Sequence, residues 1–295
     1  QLLIIIILFK VWIFFEKIIK LKCFYNLFIK IASFKTEFLN FVILCLNIIL
    51  FLLSFTGIIC SILWSFSENW YFPNFFPNDL NIDSFLSFYY QNKSLILISI
   101  FIPLIVSLLS ISLTIIWVEL LEYLKIKKNQ FEWIIFTPLF IPQISFLIGI
   151  QSFIILFNYD SFLIPLIFVQ LFYVIPYCFI ILAPALREVK LDYIKVASSL
   201  GKNRIDRLFK IKIPLVLPSL LTSFAIGMIV SFSLYVPVYF IGAGRVTTLT
   251  VEALNLAMSG SKQDLGIATF FQILFPTLLL FTIAFINRKT IKWQI

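Results

Sequence analysis

Histidine is absent from the 295 residues, and Asp, Glu, Lys and Arg together make up only 13% of them. Without histidine the chain lacks the commonest general base and metal ligand, and it cannot carry the HExxH helix of an intramembrane zinc protease. Cysteine is sparse: Cys23, Cys45, Cys60 and Cys178 lie in or beside apolar runs, and none forms a CxxC pair. Neither a disulfide framework nor a zinc site is expected, and the four are read as small hydrophobes. No GxxxxGK[ST] loop occurs, so the chain is not expected to cradle nucleotide phosphates itself. With no nucleophile motif and no paired carboxylates inside the apolar runs, enzyme chemistry has nothing to carry it. No cofactor is expected.

What is there is hydrocarbon. Hydrophobic residues make up 61% of the chain and the mean hydropathy is +1.06. A soluble domain is roughly 25% charged, so the composition predicts a polytopic membrane protein, all-α in class. Runs free of Asp, Glu, Lys and Arg predict six full spans: Phe38–Ser67, Ser94–Val118, Trp133–Tyr159, Ser161–Leu186, Ile213–Gly244 and Leu265–Asn287. An earlier apolar run, Leu2 to Phe15, falls short of the ~20 residues a span needs. It is expected to be the tail of a truncated preceding span. Residues 1–37 are then that tail plus a basic linker, and residues 38–295 the six-span domain.

Lys and Arg set the orientation. With residues 16–37 placed inside, the inside segments 16–37, 119–132, 187–212 and 288–295 hold 19 of the 23 basic residues. The outside segments hold Lys93, Arg245 and Lys262. The positive-inside rule therefore predicts a cytosolic C-terminus. It also accounts for the net charge of +9 without a nucleic-acid partner. Trp64, Trp70, Tyr71, Tyr89 and Tyr90 suit an interfacial aromatic belt at the first outside loop.

One charged island stands out. Arg187 to Pro218 carries eight basic and three acidic residues between long apolar runs. Leu186, Ile194, Val196, Ala197, Leu200, Ile205 and Leu208 recur at helical spacing. A helix ending near Leu200 with Gly201 just past its end is the expected arrangement. A second helix, 204–211, would lead to Pro214 in the first turn of the next span. A loop this long and this periodic is expected to be a docking surface, and a partnerless interfacial helix is the plain alternative.

The spacing Ala197, Gly201, Ile211, Pro214 resembles the "EAA" loop of bacterial ABC-importer permeases: E-A-A, three residues, Gly, nine residues, I-x-L-P. Lys195 and Val196 stand where that family has Glu and the first Ala. The segments 138–151, 168–187 and 235–260 look like permeases of the thiamine- and ferric-iron-type branch, which often fuses two six-span halves. The resemblance implies a coupling loop (187–213) seated on a cytosolic ABC ATPase dimer, with Ala197, Ser198, Leu200, Gly201, Lys202, Ile211 and Pro214 as its coupling residues. It implies a periplasmic binding protein, a second permease half or subunit, and multi-pass residence in the bacterial inner membrane among lipid. The cargo implied is a thiamine-like organic cation or ferric iron. The other classes weighed are an ion-coupled secondary transporter and a non-catalytic membrane scaffold. The first usually keeps ionisable residues at the bilayer centre, and the six runs hold none; the second needs no ordered loop.

Beyond the loop, Gln143, Gln151, Gln170, Tyr173 and Tyr177 are polar at membrane depth, where hydrogen bonding between helices or a pathway lining is expected. Four of the eight glycines fall between 242 and 266. Gly242, Gly244, Arg245 and Glu252 are therefore expected in a bent outside turn before a short re-entrant helix. Arg245 and Glu252 are candidates for an ion pair, or for contact with a binding protein or the transported solute. Glu119 and Glu122, with Lys125, Lys127 and Lys128, are expected to form a solvated interfacial cluster. Pro138, Pro142, Pro165, Pro176, Pro184, Pro237 and Pro276 are expected to kink their helices.

Overall fold

In hydrocarbon every backbone amide must find its partner within the protein, which favours helices. The computed structural model describes residues 36–67, 80–124, 132–156, 162–189 and 191–291, with 70, 74 and 77. Among the described residues the β structure is a single bridge, Ser67 to Leu80. The helices are α1 (Thr36–Phe66), α2 (Asp83–Gln91), α3 (Lys93–Tyr123), α4 (Glu132–Phe140), α5 (Gln143–Leu156), α6 (Leu163–Glu188), α7 (Leu191–Ser199) and α8 (Arg204–Arg207). A π-turn (Leu208–Lys212) follows, then α9 (Ile213–Leu215), α10 (Leu217–Ser233), α11 (Tyr235–Gly242), α12 (Leu249–Ser259) and α13 (Lys262–Ile291). The expected preceding span and nearly all of the linker lie outside the described residues.

The chain forms two compact units, residues 1–63 and 64–295. In the first, α1 hides its polar groups locally: Asn47 Nδ2 donates to Ile43 O (2.9 Å) and Ser61 Oγ to Gly57 O (3.0 Å). In the second, α3, α6 and α10 pack together around Ile102, Val106, Val118, Leu166, Val174, Leu182 and Leu186, all 1% exposed or less. Small and polar residues let these backbones come close, as membrane helix interfaces require. A Cβ on Gly227 would lie 2.9 Å from Cys178 Sγ and 3.2 Å from Ser107 Cβ. Ser223 Oγ donates to Cys178 O (3.3 Å), and Ser231 Oγ to the buried Gln170 Oε1 (2.6 Å). The interhelical role expected of Gln170 is met; among the described residues the buried Tyr173 hydroxyl has no hydrogen-bond partner.

Among the described residues, four helical segments are long and apolar enough to cross a membrane: Phe41–Phe66, Lys93–Tyr123, Leu163–Glu188 and Lys262–Arg288. The other two expected spans are broken. The run predicted as Trp133–Tyr159 turns through 97° between α4 and α5. Pro142 sits in that break and has no N–H to continue the ladder, and its carbonyl instead accepts from Phe146 N–H (3.1 Å). The run predicted as Ile213–Gly244 starts late and ends early. The segments on either side of Val216 meet at 79°, and Leu234 (ψ 95°) separates α10 from α11. Pro218, not Pro214, occupies the first turn of the long helix α10. By length and composition that makes four candidate spans among the described residues, or up to six if each bent pair counts as one.

A helix absent from the sequence reading, α2, interrupts the predicted first outside loop. Asn81 Oδ1 accepts the N–H of Asp83 (2.8 Å) and starts it, an Asx turn. Phe88 of α2 joins Leu95, Phe232, Leu249, Ala253, Ile267 and Ala268 in a second buried cluster. Within this second unit, a Cβ on Gly266 of α13 would lie 2.5 Å from Ser65 N.

Candidate functional site

The charged island folds as a helix, a glycine turn and a second helix. Gly201, at φ +74°, closes α7: its N–H donates to Ser198 O (3.0 Å) and Lys202 N–H to Ala197 O (3.0 Å). This is the paired bonding of a Schellman end, which glycine's left-handed freedom permits. Ala197 is buried, and Ser198, Gly201 and Lys202 are exposed. The apolar stripe faces outward: Val196 is 61% exposed, Leu200 73%, Ile205 72% and Phe209 62%. Arg207 Nη1 donates to Ser198 Oγ and joins the two arms. Asp206 accepts from Lys210 Nζ (2.6 Å), and that bond holds its carboxyl below the ordinary aspartate value. Ile211 is half-buried and Pro214 exposed, beyond the turn.

The π-turn changes what the following lysines face. Lys210 stays in solvent, whereas Lys212 is turned inward and is 4% exposed. Its ammonium donates to Glu119 Oε1 and to Glu122 Oε2 (2.7 Å) at the end of α3. Arg204 donates to the main-chain carbonyl of Glu119, lies 3.4 Å from Glu119 Oε2, and stacks 4.8 Å over the Tyr123 ring. Two acids at a helix C-terminus oppose its dipole. The two cations offset them. A cleft of about 460 Å³ remains here, lined by Glu122, Ile194, Arg207 and Lys212. The expectation of a solvated Glu119–Glu122 cluster holds for Glu122, which stays exposed, whereas Glu119 is half-buried under the loop's own cations; Lys125, Lys127 and Lys128 lie outside the described residues.

At the loop's other root, Arg187 pairs with Glu132 of α4 (2.7 Å), its guanidinium 5.6 Å over Phe179. The two segments read as inside loops, 119–132 and 187–212, therefore meet on one face. Sequence reasoning missed Lys212, Arg204, Arg187 and Glu132 as partners. The readable signal was two acids ending a long apolar run.

The other end of α3 carries the second candidate region. Ser99 Oγ accepts the Leu249 N–H (2.7 Å) at the start of α12, and Gln272 Nε2 donates to Leu249 O (2.9 Å). Two successive left-handed residues, Ala243 (φ 44°) and Gly244 (φ 76°), end α11, so the expected bent turn and short helix are present. Arg245 lies 4.1 Å over the Phe162 ring. Among the described residues it makes no ion pair with Glu252, because the turn points it at α6 instead. Glu252 is half-buried in the first turn of α12. A cleft of about 500 Å³ lies here, lined by Gln151, Tyr239, Phe240, Gly244, Thr247 and Asn255. Gly242 is buried behind it; Gln143 and Tyr177 do not line it.

Residues 110–291 match the family model of the binding-protein-dependent transport system inner membrane component. The chain is also similar to the inner membrane ABC transporter permease protein YnjC of Escherichia coli (strain K12), 27% identical over 202 residues. That stretch is 68% of this chain and 38% of the relative, so the chain spans well under half of the curated protein it matches.

Proposed function

The chain belongs to the family of binding-protein-dependent transport system inner membrane components, and we propose that it is the membrane-spanning part of an ATP-driven importer whose 187–213 loop docks on a cytosolic ATPase. The observation that carries this is the loop itself: a rigid glycine-turned helix pair that holds Val196, Leu200, Ile205 and Phe209 in the open, on a chain family that needs an energy source. Exposed apolar patches of this kind mark protein interfaces. Ser198, Gly201 and Lys202, all exposed, complete the contact, whereas Ala197, expected among the coupling residues, is buried and supports them from behind. A second half, on the same polypeptide or another, completes the pathway, and a periplasmic binding protein delivers solute to the end bearing Gly242, Gly244, Arg245 and Glu252. The loop lies in the cytosol, as does the C-terminus.

The cargo is a small organic solute, a thiamine-like cation before ferric iron. The second cleft offers amide, hydroxyl and aromatic groups, and aromatic faces attract organic cations. Among the described residues no group of three His, Cys, Asp or Glu gathers to hold a bare metal ion.

The test is co-purification of the full-length protein with the ATPase encoded beside it. Leu200→Glu and Gly201→Trp should reach the membrane at normal level yet lose the ATPase. An ATPase that stays bound to both, with transport intact, would sink the docking assignment.

A further inference from the structure

We propose that Lys212, braced by Glu119 and Glu122, is the residue through which displacement of the loop reaches α3, and that α3 carries it to the second cleft. This rests on the permease reading above. The loop's docking surface and its anchor are different residues. Leu200 and Ile205 face solvent, while Lys212 is 4% exposed and bonded to the last turn of α3. Arg204 adds a bond to the Glu119 carbonyl and stacks on Tyr123, both on α3. Force applied at Leu200 therefore reaches the membrane through these side chains as well as through the backbone of the π-turn.

At its far end α3 holds α12 by the Ser99–Leu249 bond. Glu119 and Ser99 are on one continuous helix with Pro103 inside it, so the brace and the cleft-bearing turn are separated by roughly 30 Å of helical rod at 1.5 Å per residue. The packing of α3 against α6 and α10 keeps that rod from tilting alone. Lys212 is a positioning residue: it touches neither nucleotide nor cargo.

The experiment uses the full-length protein with its ATPase and binding protein in proteoliposomes. Lys212→Met should keep the ATPase bound, because the docking surface is untouched. Its ATP hydrolysis should lose stimulation by loaded binding protein, and transport should fall about tenfold. Lys212→Arg should restore transport to within about threefold. If Lys212→Met fails to accumulate, Glu119→Gln combined with Glu122→Gln takes its place, with the same expected uncoupling. A complex of either variant that transports at the wild-type rate would overturn the brace alone. A wild-type protein that binds no ATPase would overturn the permease reading, and the brace's role in transmission with it.

Discussion

Single residues fix how near the helices can come. Gly227 and Gly266 both sit at crossings, but their neighbours differ. A methyl at 227 would press on the Cys178 sulfur and Ser107 Cβ, which are side-chain atoms, whereas one at 266 would meet the Ser65 and Trp64 backbone at 2.5 and 2.7 Å. Overpacking costs typically about 1–3 kcal/mol. Gly266→Ala should therefore lower the denaturation midpoint in detergent more than Gly227→Ala; an equal or reversed order would mean that α13 can shift along its neighbour. Ala243 works the other way. A left-handed conformation costs an L-residue roughly 1–2 kcal/mol, so Ala243→Gly should raise stability by about 1 kcal/mol in the same measurement. Gly201 was legible in the sequence because only glycine answers the turn its neighbours impose. Lys212 was not, since a lysine in a basic run resembles the lysines beside it until the π-turn selects which one faces inward.

At the scale of elements, the long apolar runs were legible and their breaks were not. Hydropathy places α1, α3, α6 and α13, because a bilayer asks only for length and apolarity. It cannot show that Pro142 ends one helix while Pro176 and Pro184 are absorbed inside α6; the difference lies in what packs around each. Helix α2 was hidden because its pattern is short and its support, Phe88 against Leu95 and Phe232, comes from distant sequence. The seam between α6 and α10 carries a buried bond between two side chains, Ser231 to Gln170. Removing such a bond in a membrane costs about 0.6–2 kcal/mol. Gln170→Leu should lower thermal stability by that amount, and a further Ser231→Ala should add almost nothing. Additive losses would show that the two side chains act separately.

For the molecule as a whole, the charge distribution and the contacts agree on which ends belong together. Glu119, Glu122 and Glu132 meet Lys212, Arg204 and Arg187 on one face. On the other, Ser99 meets Leu249 and Ser84 accepts from Gln263 Nε2 (2.8 Å). These pairs join segments read as inside to each other, and segments read as outside to each other. In a cysteine-free background, Asn203→Cys should react with a membrane-impermeant thiol reagent only from the cytosol, and Met258→Cys, at a residue 82% exposed, only from outside. Both reacting from one side would overturn the topology.

The bond between Lys212 and Glu119 spans 93 positions of the chain. During synthesis α3 emerges and enters the membrane long before residue 212 has been translated. Until then its end holds two acids with neither of their later partners. The last turn of α3 can take its final arrangement only after α6 has crossed and the segment behind it has doubled back. The same ammonium group that ties the loop down thus makes α3 wait for the completion of elements that follow it, and gives the nascent chain a fixed order of closure.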